Sequence, residues 1–166
     1  MPSIFQSKIE DHRKTSDGKY IQGCSHTTQI LNHKIRNKII IRAVCDLRKI
    51  INTFDSIACC GASGLMVVPQ IAELLDKHII LVRKDSERRY SDFSIEGVSP
   101  YRYVIIDDLI CSGNTVRHIK RHIQEEHSRS KCVGVYCYMP GECAYRADDY
   151  GNKLCLRDLG VPLLNI

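Results

Sequence analysis

Residues 103–115 (Tyr-Val-Ile-Ile-Asp-Asp-Leu-Ile-Cys-Ser-Gly-Asn-Thr) constrain the fold of this chain more than any other stretch. Four apolar or aromatic residues in a row suit a strand buried on both faces. Asp107 and Asp108 stand at its carboxyl end. Two like charges side by side in a crevice are costly unless a diol, a cation or a metal satisfies them. A small polar loop follows, in which Ser112, Gly113 and Thr115 offer hydroxyls and backbone N–H groups. It opens a helical pattern over residues 113–126, and a helix N-terminus favours an anion.

The rest of the chain repeats this strand-and-helix alternation. Residues 28–54 read as a helix, because Ile40, Val44, Leu47, Ile51 and Phe54 recur at spacings of four and three. Residues 56–60 form a short apolar run that suits a buried strand. Gly61-Ala62-Ser63-Gly64 breaks it, and residues 65–77 read as a second helix. A second strand is expected at 78–82 and a fourth, after the one at 103–106, at 131–138. Residues 83–100 are polar and without period, and connections of that length are often lids. Strands and helices in succession predict a parallel, doubly wound α/β sheet. Ligands of such sheets bind beyond the carboxyl ends of the strands. Segments 61–64, 83–100 and 107–115 therefore surround one crevice, where diol-binding acids stand beside a phosphate cradle. Ribose 5-phosphate presents a diol and a phosphate in that order.

Segment 103–115 resembles the binding motif for 5-phosphoribosyl-1-pyrophosphate (PRPP) of the type I phosphoribosyltransferases. The resemblance implies that Asp107 and Asp108 hold the ribose hydroxyls, and that Cys111, Ser112, Gly113, Asn114 and Thr115 form the 5-phosphate loop. Asn114 stands where glycine is usual, and Asn tolerates a left-handed backbone better than most residues. The resemblance further implies a pyrophosphate loop at Ala62, Ser63 and Gly64. Arg83 and Lys84 match an Arg-Lys pair often found in the orotate and adenine enzymes, leading into a lid whose Arg88 and Arg89 add cations. Lys84, Asp107, Asp108 and Glu96 are the implied catalytic residues. Magnesium is the implied cofactor, bridged by substrate rather than held by a protein cage, and a homodimer is the implied assembly.

The implied reaction joins a nucleobase to PRPP and releases pyrophosphate. Cys111 occupies the place where 6-oxopurine enzymes carry an Asp, which points to orotate or adenine instead. Ser94-Ile95-Glu96-Gly97 is similar to the lid end of adenine enzymes, whose Glu faces the base. The alternative is a catalytically weak PRPP-binding regulator that binds nucleic acid. A net charge of +5 permits either reading.

At 166 residues the chain fits one domain, with a core over about 28–140 and a small hood from the two termini. Nine cysteines, an odd number with no C-x-x-C, suggest reduced thiols. Residues 1–17 are polar and no apolar run reaches membrane length, so a cytoplasmic protein without a membrane partner is expected. His118 and His122 share a helix face at i, i+4. That pair could bind zinc, but a solvated face is the expectation in the absence of cysteine ligands.

Overall fold

The computed structural model describes residues 15–21, 25–84, 93–110, 112–139 and 159–164. Two helices open it, α1 (Ser25–Leu31) and α2 (His33–Arg48). The continuous helix expected over 28–54 is therefore divided. Asn32 leaves the helical region (φ −76°, ψ 113°), and its side chain accepts from the backbone N–H groups of Lys34 and Ile35. An Asn that caps the helix behind it satisfies donors that would otherwise be orphaned. Beyond Arg48 the chain tightens into a 3₁₀ turn at Ile51–Thr53.

Next come β1 (Ser56–Cys60), α3 (Gly61–Leu65), α4 (Val68–Leu75) and β2 (His78–Val82). Then follow β3 (Ile95–Gly97), β4 (Arg102–Asp107), α5 (Asn114–Glu126) and β5 (Lys131–Cys137). The sheet order is β3-β2-β1-β4-β5. Strands β1, β2, β4 and β5 are mutually parallel. Strand β3, inside the stretch expected to be irregular, pairs antiparallel with β2 and edges the sheet. Three residues with a single apolar side chain facing the core are too short to announce a strand by alternation.

The parallel strands alternate their side chains between two buried layers. Ile57, Cys59, Val104, Ile106 and Tyr136 join Val44 and Leu47 of α2 and Ile71 and Leu75 of α4. Ala58, Cys60, Ile80, Ile105, Val135 and Cys137 face the other way, onto Val116, Ile119 and Ile123 of α5. Helices on both faces of a mostly parallel sheet match the expected doubly wound architecture. The described part of the tail, residues 159–164, lies against the core. Leu159 and Val161 are buried in the α5 layer, and Leu163 bridges to Val135 alongside β5.

Chain order along the sheet runs one way from β1 to β2 and the other way from β4 to β5. The reversal lies between β1 and β4, and ligands of such sheets bind at this switch point. Among the described residues, no helix is long and apolar enough to cross a membrane.

Candidate active site

A cleft opens at the switch point. It is lined by Cys60 and Ser63 from the end of β1 and the start of α3, and by Lys84 just past β2. Asp107, Asp108, Leu109 and Ile110 line it from the end of β4, and Ser112, Gly113, Asn114, Thr115 and Val116 complete it at the head of α5.

Asp107 is the last residue of β4 and is almost fully buried. Its carboxyl accepts from the backbone N–H of Asp108, and the Asp108 carboxyl accepts from that of Leu109. Burial, and then the charge of Asp108, push the Asp107 pKa well above the usual carboxylate range, while Lys84 pulls the other way. A buried acid facing a second acid and a lysine is a common mark of a functional site.

Small residues keep the far wall low. Gly61, the first residue of α3, has φ +72°. A Cβ on it would lie 2.9 Å from Cε of Lys84 and 3.1 Å from its Nζ, so the lysine lies across the glycine backbone. Gly64 lies against β1, with a Cβ there only 2.6 Å from that of Cys59. Segment 61–64, expected to be a break before a helix over 65–77, is itself helical: it belongs to the short α3, and the helix beyond it, α4, begins only at Val68. Replacing Gly61 with Ala forces a side chain into a left-handed backbone. We expect a loss of about 1–2 kcal/mol in chemical denaturation, together with displacement of the Lys84 ammonium.

The loop before α5 has its left-handed residue at Gly113, φ +74°, rather than at Asn114. Asn114 is instead the first helical residue, and its backbone N–H donates to Ser112 Oγ. Arg117, one turn on, donates from Nη1 to the Ser112 carbonyl and to Asn114 Oδ1, tying the loop to the helix. On the opposite side Tyr138 donates to the Ser63 carbonyl at 3.1 Å, linking β5 to α3. Burial, with Asp108 and Asp107 nearby, raises its phenol pKa, so the hydroxyl keeps its proton.

A family model, the phosphoribosyl transferase domain, matches residues 26–159. The chain belongs to that family. Solved phosphoribosyl transferase structures share its fold at low identity. Orotate phosphoribosyltransferase of Francisella tularensis is 13% identical, covering 90% of this chain and 74% of that one, with a TM-score of 0.59. Adenine phosphoribosyltransferase of Saccharomyces cerevisiae, solved with adenine, is 17% identical over 90% and 88%, also with a TM-score of 0.59. The UMP synthase of Leishmania donovani is 22% identical and covers 89% of this chain but only 30% of its own, with a TM-score of 0.56. No curated protein matches the sequence.

Within this phosphoribosyl transferase domain, the structure brings together Ser63, Lys84, Asp107, Asp108, Ser112, Gly113, Asn114 and Thr115. Ala62 and Gly64 belong to the same short helix as Ser63 without lining the cleft. Arg83 and Glu96 stand apart from it and face each other across the β2–β3 edge, Nε to Oε1 at 2.6 Å. Arg88, Arg89 and Cys111 lie outside the described residues. Cys60, Leu109, Ile110 and Val116 line the cleft without having been singled out. Apolar residues at strand ends look like ordinary core in a sequence. Gly61, at the head of the expected segment 61–64, is the residue over which Lys84 lies, as a glycine directly after a buried strand often marks close approach of another group.

Proposed function

We propose that the chain joins a nucleobase to PRPP with release of pyrophosphate. One observation carries the reading: the buried Asp107, the half-buried Asp108 beside it, the head of α5 and Lys84 line a single cleft. Asp107 and Asp108 accept hydrogen bonds from the ribose hydroxyls. Ser112, Gly113, Asn114 and Thr115 hold the 5-phosphate at a helix N-terminus. Lys84 and the N–H groups of segment 61–64 stabilise charge that develops on the departing pyrophosphate. Cys111 would complete the phosphate loop, and Arg88 and Arg89 would add cations over the leaving group.

Two adjacent carboxylates under mutual repulsion, beside a site for substrate phosphates, suit magnesium, which takes few protein ligands and several substrate oxygens. Held there by substrate oxygens beside Asp107 and Asp108, it would supply further positive charge for the pyrophosphate. The acceptor we propose is orotate or adenine, because Cys111 stands where a 6-oxopurine enzyme needs an acid. Glu96 would serve an adenine acceptor only by leaving Arg83. A cytoplasmic homodimer is the assembly in keeping with this reading.

The test is a panel of orotate, adenine, uracil, hypoxanthine, guanine and xanthine with PRPP and magnesium. Nucleotide formed from orotate or adenine is the expected result, and no product from any base would sink the catalytic reading. Tight PRPP binding without turnover, together with salt-dependent RNA or DNA binding, would instead favour the regulator.

A further inference from the structure

We propose that His118 is a positioning residue for Lys84, an inference that rests on the phosphoribosyl reading above. Strand β2 ends at Val82, and Arg83 N–H extends its pairing with a bond to the Ser94 carbonyl at 2.9 Å. The Arg83 carbonyl points to α5, where His118 Nε2 lies 2.8 Å away. A carbonyl only accepts, so Nε2 carries the proton. That carbonyl belongs to the peptide plane that also carries the Lys84 nitrogen. Holding its oxygen therefore sets the direction in which Lys84 leaves the sheet, toward Gly61 and Asp107.

The imidazole is itself held. Its ring meets that of His122 edge-on, with centroids 4.4 Å apart. His122 is buried, with Nε2 3.3 Å from Arg121 Nη2 and Nδ1 3.5 Å from Glu125 Oε2. Arginine only donates, so Nε2 of His122 accepts and Nδ1 carries its hydrogen toward Glu125. Helix α5 grips the same edge farther along. Ser94 donates to Glu126 Oε1 at 2.5 Å, and Ser99 Oγ lies 3.0 Å from His127 Nδ1. The His118–His122 face, expected to be solvated, is thus partly buried and bonded to the end of β2. The helix whose head lines the cleft also fixes the base of its lysine.

The test uses His118→Phe, which keeps a ring against His122 and removes the donor, with His118→Ala, His118→Gln, Lys84→Ala and the Lys84→Ala/His118→Phe double variant. Each is titrated by calorimetry with inorganic pyrophosphate plus magnesium, and separately with ribose 5-phosphate. His118→Phe and His118→Ala should bind pyrophosphate about 5- to 10-fold more weakly, the effect of losing one hydrogen bond. Ribose 5-phosphate affinity should be unchanged. His118→Gln, whose amide can still donate, should recover most of the loss. The double variant should be no weaker than Lys84→Ala alone, because both changes act through one ammonium.

Equal losses for both ligands, additive losses in the double variant, no recovery in His118→Gln, or unchanged pyrophosphate affinity would each overturn the proposal. A wild-type chain that binds neither ligand would sink the phosphoribosyl reading instead. Amide hydrogen exchange without ligand then decides about His118. Unchanged exchange at Arg83, whose N–H donates to the Ser94 carbonyl, in His118→Phe overturns its positioning role, and faster exchange upholds it.

Discussion

Asp107→Asn is expected to weaken PRPP binding while making the ligand-free protein more stable. The side chain is 6% exposed, with Asp108 beside it. Its folded pKa is raised, so between the unfolded value, about 4, and the folded one the native state binds more protons than the unfolded state. Stability is then lost as pH rises through that window. Asparagine removes the charge, keeps the shape, and can still accept from the Asp108 N–H. We expect a gain on the order of 1 kcal/mol at neutral pH, shrinking toward pH 4. The same change costs charge-assisted bonds to the ribose hydroxyls, roughly 30- to 100-fold in PRPP affinity. Denaturant melts at pH 5 and pH 8, with PRPP calorimetry, check both arms. A variant less stable than wild type at pH 8, or one that binds PRPP equally well, would refute the assignment.

Gly97→Ala should have the largest effect on stability. Gly97 pairs with Ile80 across the β2–β3 edge and has φ +125°. A Cβ there would lie 2.2 Å from the Ile79 carbonyl oxygen and 3.3 Å from the Ile80 Cα, both backbone atoms that cannot swing aside. Either β3 leaves the sheet or β2 is distorted. We expect a loss of about 3 kcal/mol or more, a fall of roughly 6–12 °C in Tm for a chain of this size. The exposed neighbour Val98, changed to Ala, should stay within about 0.5 kcal/mol. A Gly97→Ala melt indistinguishable from that control would show that β3 is not held in this register. Freeing β3 also releases the Arg83–Ser94 bond, so pyrophosphate affinity should fall with it.

Much of the site is legible in residues 103–115 because its parts are contiguous. Strand, acids, loop and helix start follow one another, and each has a local chemical reason for its residue type. The division at Asn32 and the edge strand at 95–97 were not legible. A capping Asn looks like any polar residue within a helical pattern, and three strand residues hold too few side chains for a period. Glu96 shows the limit for single residues. Its sequence context suggests a role facing the base, and its ion pair with Arg83 is one that only the β2–β3 pairing brings to it.

The sequence by itself determined the parallel α/β layering and put Asp107, Asp108 and the small polar loop at the carboxyl end of a buried strand, because hydrophobic period and residue chemistry are local properties. Only the tertiary structure decided that Lys84 lies over Gly61, that His118 reaches the Arg83 carbonyl, and that the left-handed turn belongs to Gly113. The first two depend on which strands lie side by side and the third on where α5 begins. Residues 84 and 61, or 118 and 83, meet only once β1, β2 and α5 have packed together.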